Sequence, residues 1–166
     1  MDSQLASEVE TRPIIATRAQ FVAECRKLLG ARWQHQGRME NGVDCVGLLV
    51  VPALRLGILK VGDDKSDYQR NAQNDRLDCL LHYHCRRLPD WREARPADVL
   101  AIKYKEHLQH VMVVTQAHDP RWGFHIIHSF GSTEMGGGVV EHRLDDVWLK
   151  SHRARIHAAF QIRGVG

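Results

Sequence analysis

No apolar run in this 166-residue chain approaches the length of a membrane span. Its first sixteen residues carry Glu8, Glu10 and Arg12 and lack the continuous apolar stretch of a secretory signal. Neither a membrane span nor export through a signal peptide is therefore expected. Basic residues are scattered, the longest run being Arg86-Arg87, and a formal net charge of +3 leaves no stripe that would track a nucleic acid. There is no internal repeat and no low-complexity tract. The glycine run "MGGG" (135–138) is not followed by the Lys-Ser/Thr of a phosphate-cradling loop, so it reads as a flexible hairpin connection. Cysteine is sparse, at Cys25, Cys45, Cys79 and Cys85. Without a signal these are expected to be free thiols made in a reducing cytosol, with any later delivery using another route, such as assembly into a larger particle.

What is present suits one domain: 43% hydrophobic residues in 166 can build a real core but leave little room for a second. Residues 1–16 are polar, with Pro13 near their end, and read as an N-terminal arm ahead of a domain over 17–166. Thr17 followed by Gln20 has capping-box spacing, and Phe21, Val22, Cys25, Leu28 and Leu29 mark one helical face that Gly30 ends. A second helix is expected from about Cys45 to Leu56, apolar nearly all round and so buried, with Pro52 removing one of its hydrogen bonds. Residues 62–75 read as loop, and 75–88 as a third helix ending before Pro89. After residue 96 the texture changes to β-like runs: "DVLAIKY" (98–104), "HVMVVTQ" (110–116), "FHIIHSF" (124–130), "GVVEHRL" (138–144) and "ARIHAAFQI" (154–162). Asp145 and Asp146 can cap a short helix through Trp148 and Leu149. Helices first and strands second predicts an α+β fold, with the helices packed on an antiparallel sheet of five or six strands.

The stretch "NGVDCVGLL" (41–49) places a thiol at the start of the buried helix, behind a carboxylate. Asp44 can cap the helix, and the positive end of the helix dipole favours a thiolate at Cys45. Gly42 and Gly47 leave room on both sides for a substrate backbone. Alternatively, Cys45 is one more small buried residue. A cysteine nucleophile needs a base, and the base needs an orienting partner. His110 opens one apolar strand, and His128 lies within the next. If those strands are neighbours the two rings can share a face, while His125 points to the other and His107 lies exposed before the strand. Cysteine on a helix, then histidine on a strand, then a polar residue on the next strand is the papain-like order.

The segment "LLGARWQHQGRMENGVDCVGL" resembles the NlpC/p-sixty superfamily of cell-wall cysteine peptidases, and most resembles its phage-tail and gene-transfer-agent branch. The likeness continues through "RPADVLAIKY", "QHVMVV", "IIHSF", "GVVEHRLDDVW" and "AAFQIR", covering about residues 17–163. It implies a papain-like NlpC-type fold and hydrolysis of the γ-D-glutamyl–diamino acid bond in peptidoglycan stem peptides. It also implies a triad with Cys45 as nucleophile, His110 as base and His128 as the orienting residue, and no cofactor. Asp44 matches the family aspartate that holds the stem's free amine, whereas Val46 replaces the usual serine of that subsite. Trp33 stands where the family has a tyrosine near the oxyanion; its indole N–H can donate there, or its ring can serve as core packing. Ala97 stands at a family glycine. The same likeness points to phage tail-tip proteins as partners and to a virion tail, the periplasm or the cell wall as destination.

Two further functions stay open: a structural tail or plug component that keeps the fold but hydrolyses little, and an amidase or acyltransferase using the same triad. The run "CLLHYHCRR" (79–87) invites a zinc reading. On a helix, however, Cys79 and His82 share a face that His84 leaves, and no second ligand pair is evident, so no metal site is assigned.

Overall fold

The computed structural model describes residues 13–64, 76–131 and 137–166. Helix α1 (Arg18–Arg26) starts where the capping box predicts. The Thr17 hydroxyl accepts from Gln20 N–H, and the Gln20 side chain accepts from Thr17 N–H. Its face of Phe21, Val22 and Cys25 is buried. Helix α2 (Gly47–Arg55) begins two residues later than expected, because residues 44–47 form a turn leading into it. Pro52 cannot donate to the carbonyl of Leu48, one turn back. The Cys25 thiol lies 3.8 Å from that oxygen, so a weak sulfur donor from α1 stands in for the missing N–H. This fits Cys25 as a small buried residue of the α1 face.

The remaining helices are α3 (Arg76–His84) and α4 (Asp146–Ser151), the latter capped by Asp145, whose side chain accepts from Trp148 N–H at 2.9 Å. The third helix is shorter than predicted. Cys85–Arg87 leave it to form a strand, β4, paired antiparallel with the last strand, Cys85 opposite Ile162 and Arg87 opposite Phe160. Three residues are too few to show a strand period. Pairing satisfies backbone groups that the last strand would otherwise leave at an edge.

The α+β expectation holds, with a larger sheet than expected: nine strands among the described residues rather than five or six. The four extra are two or three residues long: β1 (Arg32–Trp33), β2 (Arg38–Met39), β3 (Gly42–Val43) and β4. The five long ones are β5 (Val99–Tyr104), β6 (His107–Asp119), β7 (Gly123–Phe130), β8 (Gly138–Leu144) and β9 (Ala154–Ile162). Spatial order is β2-β3-β1-β8-β7-β6-β5-β9-β4, and only the β1–β3 pair is parallel. One face packs Val99, Ala101, Val111, Val113 and Ile127 against α1 and α2. The other packs Leu100, Ile102, Met112, Phe124 and Ile126 against Trp91, Trp148 and Leu149.

Residues 13–16 run beside the C-terminus, with Ile15 N–H donating to Gly164 O at 2.7 Å and Ala16 buried. Residues 1–12 of the expected arm, 65–75 of the expected loop, and Met135 and Gly136 of the glycine run lie outside the described residues. All four cysteines are unpaired, and Cys79 is exposed. No helix among the described residues is long and apolar enough to cross a membrane.

Candidate active site

The turn into α2 is organised by Asp44. It is 3% exposed, and its carboxylate accepts from Gly47 N–H at 2.8 Å and from Gln36 N–H at 2.7 Å. Its backbone carbonyl takes Leu48 N–H at 3.0 Å, so it ties the turn leading into α2, whose N-cap is Val46 rather than the expected Asp44. Arg38 Nη1 lies 3.4 Å from the carboxylate, and Arg38 also grips Asp64 with two contacts of 2.7 and 3.1 Å. The oxygens thus already serve donors within the chain, and a substrate amine would compete with them.

Gly42 and Gly47 were expected to leave room for a substrate on both sides of Cys45, but the space at each is taken up by the chain itself. A Cβ at Gly47 would run into the Gly37 carbonyl oxygen, and one at Gly42 into the Gln34 side chain. Both glycines let the chain pack on itself, seating α2 against the preceding hairpin.

Cys45 is half-buried, and Val111 N–H is within hydrogen-bonding reach of its sulfur. Burial, reinforced by the nearby Asp44 charge, pushes the thiol up to about 12. The anticipated helix-end thiolate is therefore not the resting form. Desolvation outweighs the dipole, so nucleophilic attack by this sulfur would require a base to take its proton.

The expected base, His110, is next door in sequence to Val111. His110 is 8% exposed and His128 2%, and His110 Nε2 lies 2.8 Å from His128 Nδ1. Strand pairing explains the meeting: β6 and β7 run antiparallel with Val113 opposite Ile127, which puts the two histidines diagonally on one face. Desolvation lowers His110 to about 4. Burial first, then the neighbouring imidazoles, lower His128 to about 2, so both rings are neutral at pH 7. Among the described residues no hydrogen bond joins Cys45 directly to His110. Such contacts can tighten only when substrate arrives. Tyr104 completes the group: burial first, then the nearby Cys45, raises its hydroxyl to about 12, and its ring lies 6.4 Å from that of His110.

The row does not end at His128. Its Nε2 lies 2.9 Å from Nε2 of His142 on β8, whose Nδ1 is 2.7 Å from the Arg143 carbonyl oxygen. Sequence reasoning missed His142. The signal was available: pairing Phe130 with Gly138 across the β7–β8 connection brings residue 142 opposite Ile126, on the face of His128.

Trp33 pairs with Val43 in the β1–β3 ladder, and a Cβ at Gly131, just past β7, would lie 3.0 Å from its ring. It thus spans from the strand before Cys45 to the end of the His128 strand. The Ser129 hydroxyl ties the same two strands by donating to Val43 O at 2.7 Å. Val46 points elsewhere, lining an apolar cavity with Leu49, Ala53, Leu77 and Leu81. His125 sits opposite Arg143 and is half-buried, and His107 is exposed. In the run 79–87, His82 packs edge-on to Phe160 while Cys85 is buried in β4.

No protein-family model and no curated protein matches the chain by sequence. Solved structures do match in shape. The NlpC/p60 domain of peptidoglycan hydrolase SagA aligns with a TM-score of 0.54 at 16% identity, covering 87% of this chain and 98% of that one. NlpC2 from Trichomonas vaginalis gives 0.59 at 16% identity, over 87% of this chain and 46% of that one. NlpC1 from the same organism gives 0.56 at 13% identity, over 88% of this chain and 44% of that one. At such low identity the likeness speaks for the fold, which is the papain-like fold of NlpC/p60 domains.

Proposed function

We propose that this chain is a cysteine peptidase of the NlpC/p-sixty superfamily that cuts the γ-D-glutamyl–diamino acid bond of peptidoglycan stem peptides. The observation that carries the reading is the buried His110–His128 pair, 2.8 Å apart, on strands that bring the backbone at Val111 to the Cys45 sulfur. His110 takes the thiol proton as sulfur attacks the scissile carbonyl. The same ring then returns the proton to the departing amine, leaving a thioester. Water, deprotonated by His110, cleaves the thioester and regenerates the thiol. Trp33, bridging the strands on either side of the site, is the candidate donor to the developing oxyanion.

The setting that fits the resemblance is a phage-tail or prophage-derived wall peptidase, held by tail-tip proteins and carried to the periplasm or cell wall. One observation favours a second reading. Because Asp44 is engaged by Arg38 and two backbone N–H groups, a substrate lacking a free amine, and hence an amidase or acyltransferase activity, fits the pocket as well.

Digestion of purified sacculi followed by mass spectrometry tests the proposal. Wild type should release muropeptides cut at the γ-D-glutamyl bond, and Cys45→Ala should release none while melting within a few degrees of wild type. Equal digestion by both proteins would refute a Cys45 nucleophile.

A further inference from the structure

A row of three imidazoles ends on a group that can only accept a hydrogen bond, and that end decides the protonation of the whole row. The carbonyl oxygen of Arg143 lies 2.7 Å from His142 Nδ1, so this nitrogen must carry the hydrogen. A neutral imidazole has one N–H, which leaves Nε2 of His142 bare. His128 Nε2, 2.9 Å away, must then donate to it, leaving His128 Nδ1 bare. His110 Nε2, 2.8 Å from that nitrogen, must donate in turn. The remaining nitrogen, His110 Nδ1, therefore presents a lone pair. It is the ring nitrogen nearest its own backbone, and the Cys45 sulfur lies at the N–H of the next residue, Val111. The opposite polarity would set a bare His142 Nδ1 against a carbonyl lone pair and put an N–H on His110 Nδ1, where it could not accept the thiol proton.

We propose that His142 is a positioning residue, which sets the tautomers of His128 and His110 through the Arg143 carbonyl and so keeps His110 Nδ1 free to act as base. This rests on the peptidase reading for its purpose but not for its geometry. Helix α4 braces the contact: the Trp148 ring lies 5.9 Å from that of His128 and 5.8 Å from that of His142, and His152 stacks on Trp148 at 3.9 Å. When the thiol proton reaches His110 Nδ1, its Nε2–H goes on donating to His128. The row orients the base without relaying a proton.

Long-range 1H–15N spectra of 15N-histidine-labelled protein at pH 8, above the ordinary imidazole range, report which nitrogen of each ring is protonated. Wild type should show Nε2–H for His110 and His128 and Nδ1–H for His142. His142→Phe removes the acceptor, so His128 and His110 should populate Nδ1–H, and alkylation of Cys45 by iodoacetamide, read by mass spectrometry, should slow about tenfold or more. His142→Gln offers a carboxamide oxygen to His128 Nε2–H and should restore both the tautomers and most of the rate. Nδ1–H on His110 in wild type would overturn the proposal even if His142→Phe does not fold, as would unchanged tautomers in that variant. Wild type with the stated tautomers that releases no muropeptide would overturn the peptidase reading and uphold this one.

Discussion

Asp44→Asn separates a carboxylate that faces substrate from one that holds the turn into α2. The structure predicts the second. In the variant one oxygen can stay on Gly47 N–H, but the new NH2 group replaces the oxygen that takes Gln36 N–H at 2.7 Å. A backbone N–H that loses its acceptor in a buried site costs about 1–3 kcal/mol. Gln36 also sits at φ +56, a left-handed conformation that this bond helps to hold. The lost charge opposite Arg38 adds little, roughly 0–1 kcal/mol, because Arg38 keeps its bidentate contact with Asp64. The sum is about 1–4 kcal/mol, or roughly 2–16 °C in melting temperature for a domain of this size. Asp44→Ala strips both N–H groups and should lose about twice as much. Thermal unfolding followed by circular dichroism at pH 7.5 measures this. If Asp44→Asn melts within 2 °C of wild type yet raises KM for a muropeptide by about tenfold, the carboxylate faces substrate and the reasoning fails.

Acid should loosen the fold through the histidine pair. Burial holds His110 down to about 4 and His128 down to about 2, whereas the unfolded chain binds these protons as pH falls through about 6.5. Their contribution is therefore complete above about pH 6.5 and declines below it, reaching its floor near pH 4 for His110 and lower for His128. Each costs ~1.4 kcal/mol per pH unit within its window, so stability at pH 5 should be about 4 kcal/mol below that at pH 7.5. Melting curves at the two pH values check this, and coincident curves would refute it. Ala97, buried at φ +74, pays a left-handed penalty of about 1–2 kcal/mol, part of which the extra freedom of an unfolded glycine takes back. Ala97→Gly should gain up to about 1 kcal/mol, seen by calorimetry as about 2–4 °C, and a lower melting temperature would count against strain there.

Much of the architecture was legible because its signals are local. The Thr17/Gln20 box, the Asp145 cap and the five β-like runs bounded by turn signals each depend on residues within one turn or one strand, and all appear in the structure. The short strands were not legible. Two or three residues carry no period, and β4 forms only because β9 offers it an unpaired edge.

The sequence by itself determined the α+β order, the positions of the long strands, and which thiol and imidazoles could do chemistry. It also set the length of β7 and β8, and with it the register that was left unread. Only the tertiary structure decided what surrounds those groups. Burial raises the Cys45 thiol where a helix end alone would lower it, because removing a charge from water outweighs a partial dipole. Folding commits Asp44 and the glycines beside Cys45 to the chain's own backbone, and brings His142, fourteen residues after His128, onto the end of the histidine row. Hydrogen-bond partners and dielectric are properties of what the fold gathers around a residue, and neighbours in sequence do not specify them.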